Sequence, residues 1–316
     1  MVKKDKSIKK SNKKKTLTVS ILSVIISISI LSLVSISNDQ NYKTSELSMT
    51  SKVMDDYIKQ ISKTHSYFAP QQNSYFDFYL SYDDFNRFQN GIGAPLDGIR
   101  IVLKDSVSSE LVEQFKPDSE VVVIFPIFTA VAYQESGFYA YYAGNCDDSC
   151  VTDVQIKNPK FDYNGSGASA QILYHLGYDF LTDIQVDQNP ELLTHYDTVI
   201  LLHNEYVTKK EFDAISSHPN LIFLYPNALY AQIEANYNKN TITLIRGHDY
   251  PPDDPVKNGF NYEIEKQFHH YEYDNQCIEW EFIEIENGYH LNCYPDNEIF
   301  RDLDLLNTLT KLLNSN

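Results

Sequence analysis

Two stretches of the 316-residue chain put chemistry-bearing side chains directly after a short apolar run. Val199-Ile200-Leu201-Leu202 leads into His203-Asn204-Glu205-Tyr206, and Leu221-Ile222-Phe223-Leu224 leads into Tyr225-Pro226-Asn227. If the extended path continues past the first run, His203 and Glu205 project to one side, because side chains alternate with period two. Thr208-Lys209-Lys210-Glu211 has capping-box spacing, which puts a helix N-terminus and its partial positive charge beside the same loop. A histidine, a carboxylate and the amide of Asn227 meeting there would bind a metal, activate a water or orient a carbonyl. The competing reading is structural. A His-x-Glu at a strand end is commonly a hydrogen-bonded loop pair, and asparagine is at home in turns.

The elements that must carry these residues alternate along the chain. Apolar runs at Ile99–Leu103, Val121–Ile124, Thr198–Leu202 and Leu221–Leu224 are separated by helical patterns at Ala168–Leu176, closed by Gly177, and at Glu211–Ser216. Short, mostly apolar strands with helices between them imply an α/β fold with a largely parallel open sheet, whose ligands bind beyond the carboxyl ends of the strands. Ile278–Ile285 and Tyr289–Cys293 flank Asn287-Gly288 as a C-terminal β-hairpin, and the phase shift from Trp280 and Phe282 to Ile283 and Ile285 implies a bulge. Leu303, Leu305, Leu306, Leu309, Leu312 and Leu313 recur on one face of a final helix. Upstream, Leu47, Val53, Met54, Tyr57, Ile58 and Ile61 have helical spacing within a linker and packing region, 38–96, that contains a turn at 90–95.

Residues 1–15 hold eight Lys against one Asp, and residues 16–37 are 22 residues without a charge. Such a run is long enough to cross a bilayer as one N-terminal transmembrane helix, while secretory signals have apolar stretches of about 7–15 residues. A retained anchor is favoured on length. A cleaved signal is the alternative, because Ser35-Ile36-Ser37 offers small residues at a cleavage site. Either way the basic tail stays cytoplasmic and residues 97–316 form an extracytoplasmic α/β domain, secreted if the leader is cleaved. Without the leader the chain carries 18 basic and 42 acidic residues, a net charge of −24. That field repels phosphate backbones, so no nucleic-acid partner is expected and the membrane is met only through the helix. Cys146, Cys150, Cys277 and Cys293 all follow the leader, and an even count in an oxidising space reads as two disulfides, Cys146 with Cys150 and Cys277 with Cys293. A metal site at the Cys146/Cys150 pair is the lesser alternative.

Gly177-Tyr178-Asp179-Phe180-Leu181-Thr182-Asp183-Ile184, Asn189-Pro190-Glu191-Leu192-Leu193, the His203-Asn204-Glu205-Tyr206 step and Leu221–Tyr230 together resemble the C-terminal domain of the N,N-dimethylformamidase large subunit. Phe125–Tyr133 is similar to an upstream stretch of that family, so the likeness spans about 120–245. It implies a class I glutamine amidotransferase-like fold and amide hydrolysis at a mononuclear iron held by two tyrosines and a glutamate, with a histidine and an asparagine nearby. By the same resemblance Glu205 falls on the glutamate ligand, Tyr133 on one tyrosine ligand, His203 on the histidine and Asn227 on the asparagine. The second tyrosine is one of Tyr139, Tyr141, Tyr142, Tyr163 and Tyr174, among 24 tyrosines in all. Glutaminase chemistry of that fold is argued against, because no cysteine sits on a Gly-x-Cys-x-Gly turn. Gly165-Ser166-Gly167-Ala168-Ser169 reads as a helix cap rather than a serine elbow, and His248-Asp249 and His269-His270 read as surface loop pairs.

Two functions remain open on the sequence. One is a metal-dependent hydrolase of amide-type carbon–nitrogen bonds acting on a small molecule. The other is a non-catalytic ectodomain whose acidic, tyrosine-rich surface binds glycans or proteins.

Overall fold

A computed structural model describes residues 7–9, 54–70, 74–91, 97–157, 165–254, 258–260 and 276–315. The apolar segment 16–37, Leu47, Val53, the turn from residue 92, Tyr163, Asn164 and His269-His270 lie outside the described residues. Among the described residues no helix is long and apolar enough to cross a membrane.

The strands are β1 (Ser7–Lys9), β2 (Tyr67–Ala69), β3 (Phe76–Leu80), β4 (Arg100–Leu103), β5 (Val121–Phe125), β6 (Val154–Gln155) and β7 (Asp179–Thr182). They continue with β8 (Thr198–Leu201), β9 (Tyr206–Thr208), β10 (Leu221–Phe223), β11 (Ala231–Asn236), β12 (Thr241–Arg246), β13 (Glu281–Ile285) and β14 (Gly288–Leu291). The helices are α1 (residues 54–64), α2 (Tyr82–Gln89), α3 (Ser109–Phe115), α4 (Ile127–Ala132), α5 (Phe138–Tyr142), α6 (Gly167–His175), α7 (Asp183–Gln188), α8 (Lys209–Ser216) and α9 (Leu303–Leu313).

The fold is mixed α/β, with three sheets among the described residues. The largest has the order β1-β13-β14-β10-β8-β5-β7. Its centre is parallel: β5 pairs with both β7 and β8, and β10 with both β8 and β14. β13 and then β1 are added antiparallel at one edge. Period-two alternation explains why the central runs are apolar throughout. Val121, Val123, Ile200 and Ile222 enter one core, whereas Val122, Ile124, Val199, Leu201, Leu221 and Phe223 enter another on the opposite face. A strand buried on both faces has no solvent side on which to carry polar residues.

Three expectations are corrected. β4 does not join the parallel sheet; it pairs antiparallel with β3 in a separate sheet, β2-β3-β4. The buried amide of Gln171 ties that sheet to α6, accepting from Ile101 N at 2.8 Å and donating to Ile99 O at 2.8 Å. The C-terminal hairpin contains no bulge, since Phe282–Ile285 pair regularly with Leu291–Gly288. Instead a turn at Ile278-Glu279 precedes β13 and leaves Ile278 exposed, while Phe282 and Ile285 serve the cores on the two faces. That turn brings Cys277 to Cys293, and both disulfides form as paired above. Finally, Thr208 Oγ1 does cap α8 by accepting from Glu211 N at 3.1 Å, but the buried Glu211 carboxyl makes no hydrogen bond, so the capping box is half built. The reciprocal box occurs at α7, between Thr182 and Gln185.

The remaining sheet, β6-β12-β11-β9, had no counterpart in the sequence reading. It is joined to the main sheet by residues 202–205, which link β8 to β9, so its β9 edge follows directly from the carboxyl end of β8.

Candidate functional site

His203 and Glu205 occupy the link between β8 and β9, with Glu205 fully buried and His203 nearly so. The chain bends at His203, where Asn204 N donates to Leu202 O at 2.7 Å, rather than continuing extended, yet the two side chains still meet: His203 Nε2 lies 3.2 Å from Glu205 Oε2. The backbone of His203 is fixed from below, its N–H donating to Ser166 Oγ at 2.9 Å. Ser166 stands at the N-cap position of α6, yet in a left-handed conformation (φ 53°) and without a capping hydrogen bond. Its hydroxyl therefore serves the site rather than the helix.

Tyr133 ends α4, the helix that follows β5, and its hydroxyl donates to Glu205 Oε2 at 2.8 Å. Six residues later, on α5, the Tyr139 hydroxyl lies 2.6 Å from that of Tyr133 and 3.4 Å from Glu205 Oε1. The two rings stack with centroids 3.9 Å apart. Among the four described candidates, Tyr139, Tyr141, Tyr142 and Tyr174, Tyr139 is the one whose hydroxyl lies beside that of Tyr133. On the other side, Asn227 follows β10 and is buried; its Oδ1 accepts from the Tyr294 hydroxyl at 2.9 Å. That hydroxyl is 3.5 Å from His203 Nε2. Tyr294 comes next after Cys293, so the Cys277–Cys293 disulfide fastens the segment that carries it.

His248 was not expected. The sequence reading left it at the surface, whereas its Nε2 makes a short contact with Glu205 Oε1. Its ring is enclosed by Tyr139, Tyr142, Tyr206 and Tyr230.

The electrostatics follow from this enclosure. Burial alone would raise the Glu205 pKa, but the charge and hydrogen bond of His248, together with His203, outweigh it and hold the carboxyl at about 2. The phenols move the opposite way. Burial first, and then the Glu205 carboxylate, push Tyr133 and Tyr139 well above the ordinary tyrosine value. At neutral pH both are protonated, Tyr133 donating to the ionised glutamate and Tyr139 to Tyr133. Beneath them the ring of Tyr225 stacks on His203, and its hydroxyl lies 2.7 Å from both Ser169 Oγ and Asp296 Oδ2. Burial lifts the Asp296 carboxyl to about 7, against the hydrogen bonds it accepts.

A cation added here would meet two phenol oxygens, a carboxylate and an imidazole within a few ångströms. Among the described residues no three His, Cys, Asp or Glu side chains are arranged to hold a metal by themselves, so any such site depends on the tyrosines. A family model, N,N-dimethylformamidase beta subunit-like, C-terminal, matches residues 99–280, more than half of the chain. The chain belongs to this family. The match is wider than the 120–245 read from the motifs, and it includes Tyr133, Tyr139, His203, Glu205, Asn227 and His248. Tyr294 and Asp296 lie beyond it. No curated protein matches the chain. Within the matched region the clustered residues follow the carboxyl ends of β5, β8 and β10, and Tyr294 joins them after β14, beyond the match; this is the edge at which open α/β sheets bind ligands.

Proposed function

We propose that this chain is a membrane-tethered, extracytoplasmic hydrolase of amide-type carbon–nitrogen bonds, with a glutamine amidotransferase-like domain and a hard cation, iron, as its cofactor. The observation that carries the reading is the convergence of two tyrosine hydroxyls on one buried carboxylate, Tyr133 and Tyr139 on Glu205. Phenolate and carboxylate oxygens are hard donors that suit ferric iron among common metals, so the residues fit the group that the family resemblance implies. The closeness of Tyr139 to Tyr133 supports Tyr139 as the second tyrosine ligand.

Tyr133, Tyr139 and Glu205 would hold the cation, the two phenols releasing their protons to solvent as it binds. When bound, it supplies Lewis acidity toward a carbonyl oxygen and lowers the pKa of water. With Glu205 engaged by the cation, its hold on His203 would be released and His203 would take a proton from the attacking water and return it to the leaving nitrogen. Tyr294 occupies Asn227 Oδ1, which orients the amide so that its N–H₂ end is the one offered to a substrate carbonyl. Burial of Glu205, His203 and Asn227 excludes bulk water, which strengthens each of these polar interactions.

The test is elemental analysis and visible absorption of the purified full-length chain, followed by assay against small N-alkyl amides. About one iron per chain with a tyrosinate absorption band, both lost in Glu205→Gln, together with amide turnover, supports the proposal. A folded, colourless protein that takes up no iron and hydrolyses no amide sinks it and turns the search to surface partners.

A further inference from the structure

β12 ends at Arg246, and the chain then reverses within two residues. Gly247 N donates to Tyr250 O at 2.9 Å and Tyr250 N donates back at 3.0 Å, which closes a tight hairpin turn. Both central residues are left-handed, His248 at φ 53° and Asp249 at φ 62°. Turns of this kind favour Asn and Gly, because a side chain with a Cβ is disfavoured at positive φ. His and Asp tolerate positive φ better than most side chains, but two in succession are less favourable than the Asn-Gly or Asp-Gly pair usual in such a turn. The turn is also docked. A Cβ at Gly247 would lie 2.6 Å from the Cβ of Ala231, at the start of β11, and the Tyr142 hydroxyl donates to Gly247 O at 3.4 Å. What this strained, anchored turn achieves is the placement of one imidazole nitrogen against Glu205.

We propose that His248 Nε2 is a further donor to the cation that Tyr133, Tyr139 and Glu205 would hold, adding nitrogen to an otherwise all-oxygen set. The inference rests on the reading of this site as a metal centre. Each oxygen of the Glu205 carboxylate meets one phenol and one histidine, Oε1 with Tyr139 and His248 and Oε2 with Tyr133 and His203. His203 approaches Oε2 and continues through Tyr294 to Asn227, on the side assigned above to substrate. Local strain held in place by packing is characteristic of a functional position. The His248 side chain is 23% exposed while Glu205 is fully buried, so this ring also stands where a cation would arrive from solvent.

The experiment compares the full-length chain with His248→Asn and His248→Gly. Both replacements relax the left-handed turn but also remove a partner of the buried Glu205 carboxylate, so the melting curves of the metal-free variants are read first to establish that they are folded. The probes are ferric iron supplied as its citrate complex and zinc ion alone, read by elemental analysis, chelator competition and the position of the tyrosinate band. The expected result is a ferric affinity lower by about 10- to 100-fold or more, with a displaced absorption band. Iron bound by folded His248→Asn and His248→Gly with wild-type stoichiometry, affinity and spectrum overturns the inference while leaving the metal centre intact. A wild-type chain that binds neither metal overturns the metal centre and this inference with it.

Discussion

The hydroxyls of Tyr133 and Tyr139 are 2.6 Å apart although one residue ends a helix and the other lies within the next. Gly137 makes this possible. A Cβ built there would lie 2.3 Å from Ala132 O and 2.7 Å from Val131 O, backbone atoms at the end of α4 that have nowhere to move. Gly137→Ala should therefore push α5 away from α4. Overpacking of this kind costs about 1–3 kcal/mol, and the tyrosine pair should separate with it. The check is a melting curve together with ferric uptake. Normal stability and normal uptake would show that the close approach of the two helices does not set the phenol pair.

His203 and Glu205 should fail differently when replaced. His203→Gln removes the proton carrier but none of the three oxygen donors, so kcat should fall by about 10²–10⁴-fold with iron content preserved. Glu205→Gln removes a donor and should lose both. Steady-state kinetics paired with elemental analysis of each variant separates the roles. Equal loss of metal in the two variants would move His203 into the metal's own coordination.

Much of this site was legible because strand ends are legible. His203, Glu205 and Asn227 each follow an apolar run, and the run locates them without any knowledge of tertiary contacts. Tyr139 was not, because five tyrosines satisfied the same local description and only the packing around Gly137 distinguishes one. His248 was missed for a related reason: polar residues after a strand normally mark a solvated turn, and nothing local reveals that the turn folds inward. The hairpin carrying it left a signal that could have been read. Thr241-Ile242-Thr243-Leu244-Ile245 is rich in β-branched residues, and it follows the turn-forming Asn238-Lys239-Asn240. β4 was assigned to the wrong sheet because an apolar run declares a buried strand but not its partner.

Away from the site, Glu211 should make stability depend on pH. Its carboxyl is fully buried without a hydrogen bond, faces Asp183 and Asp187, and is raised well above its ordinary 4.5 by burial and then by those charges. Asp183 is raised in the same way, chiefly by burial, while Thr208 and Tyr237 bond to Asp187 rather than to Glu211. A carboxyl whose folded pKa is raised contributes stability that is full below about 4.5 and is lost as pH climbs through the folded value. The chain should accordingly lose stability from mildly acidic to alkaline pH. Glu211→Gln keeps the backbone cap from Thr208 and should flatten that slope and raise the melting temperature at pH 8. An unchanged slope in Glu211→Gln would assign the pH dependence to other groups. Glu205 acts oppositely, and the stability it contributes is lost only as pH falls from about 4.5 toward 2.

The two disulfides should be unequal. Cys146 and Cys150 are four residues apart, whereas Cys277 and Cys293 close a 16-residue separation and hold Tyr294 near Asn227. Chain-entropy reasoning gives about 3 kcal/mol for a loop of that length. A double Cys277→Ser, Cys293→Ser variant should melt about 6–12 °C lower, since each kcal/mol is about 2–4 °C in a domain of this size. The double Cys146→Ser, Cys150→Ser variant should change less. If both pairs shift melting equally, loop closure is not the source of the difference.

Membrane topology is decided by where residues 7–9 lie. β1 pairs antiparallel with β13, Ser7 opposite Ile283 and Lys9 opposite Glu281, which requires both strands on one side of any membrane. A lysine-rich tail kept in the cytoplasm by the positive-inside preference, with residues 16–37 spanning, requires them on opposite sides. The two arrangements exclude each other within one molecule. The proposed tether predicts the second, so β1 would be absent from the inserted chain and β13 would become the sheet edge. Protease protection in sealed vesicles, with one tag before residue 7 and another after residue 316, distinguishes them. Opposite protection of the two tags establishes the tether. Equal protection rules it out and makes β1 part of the folded domain.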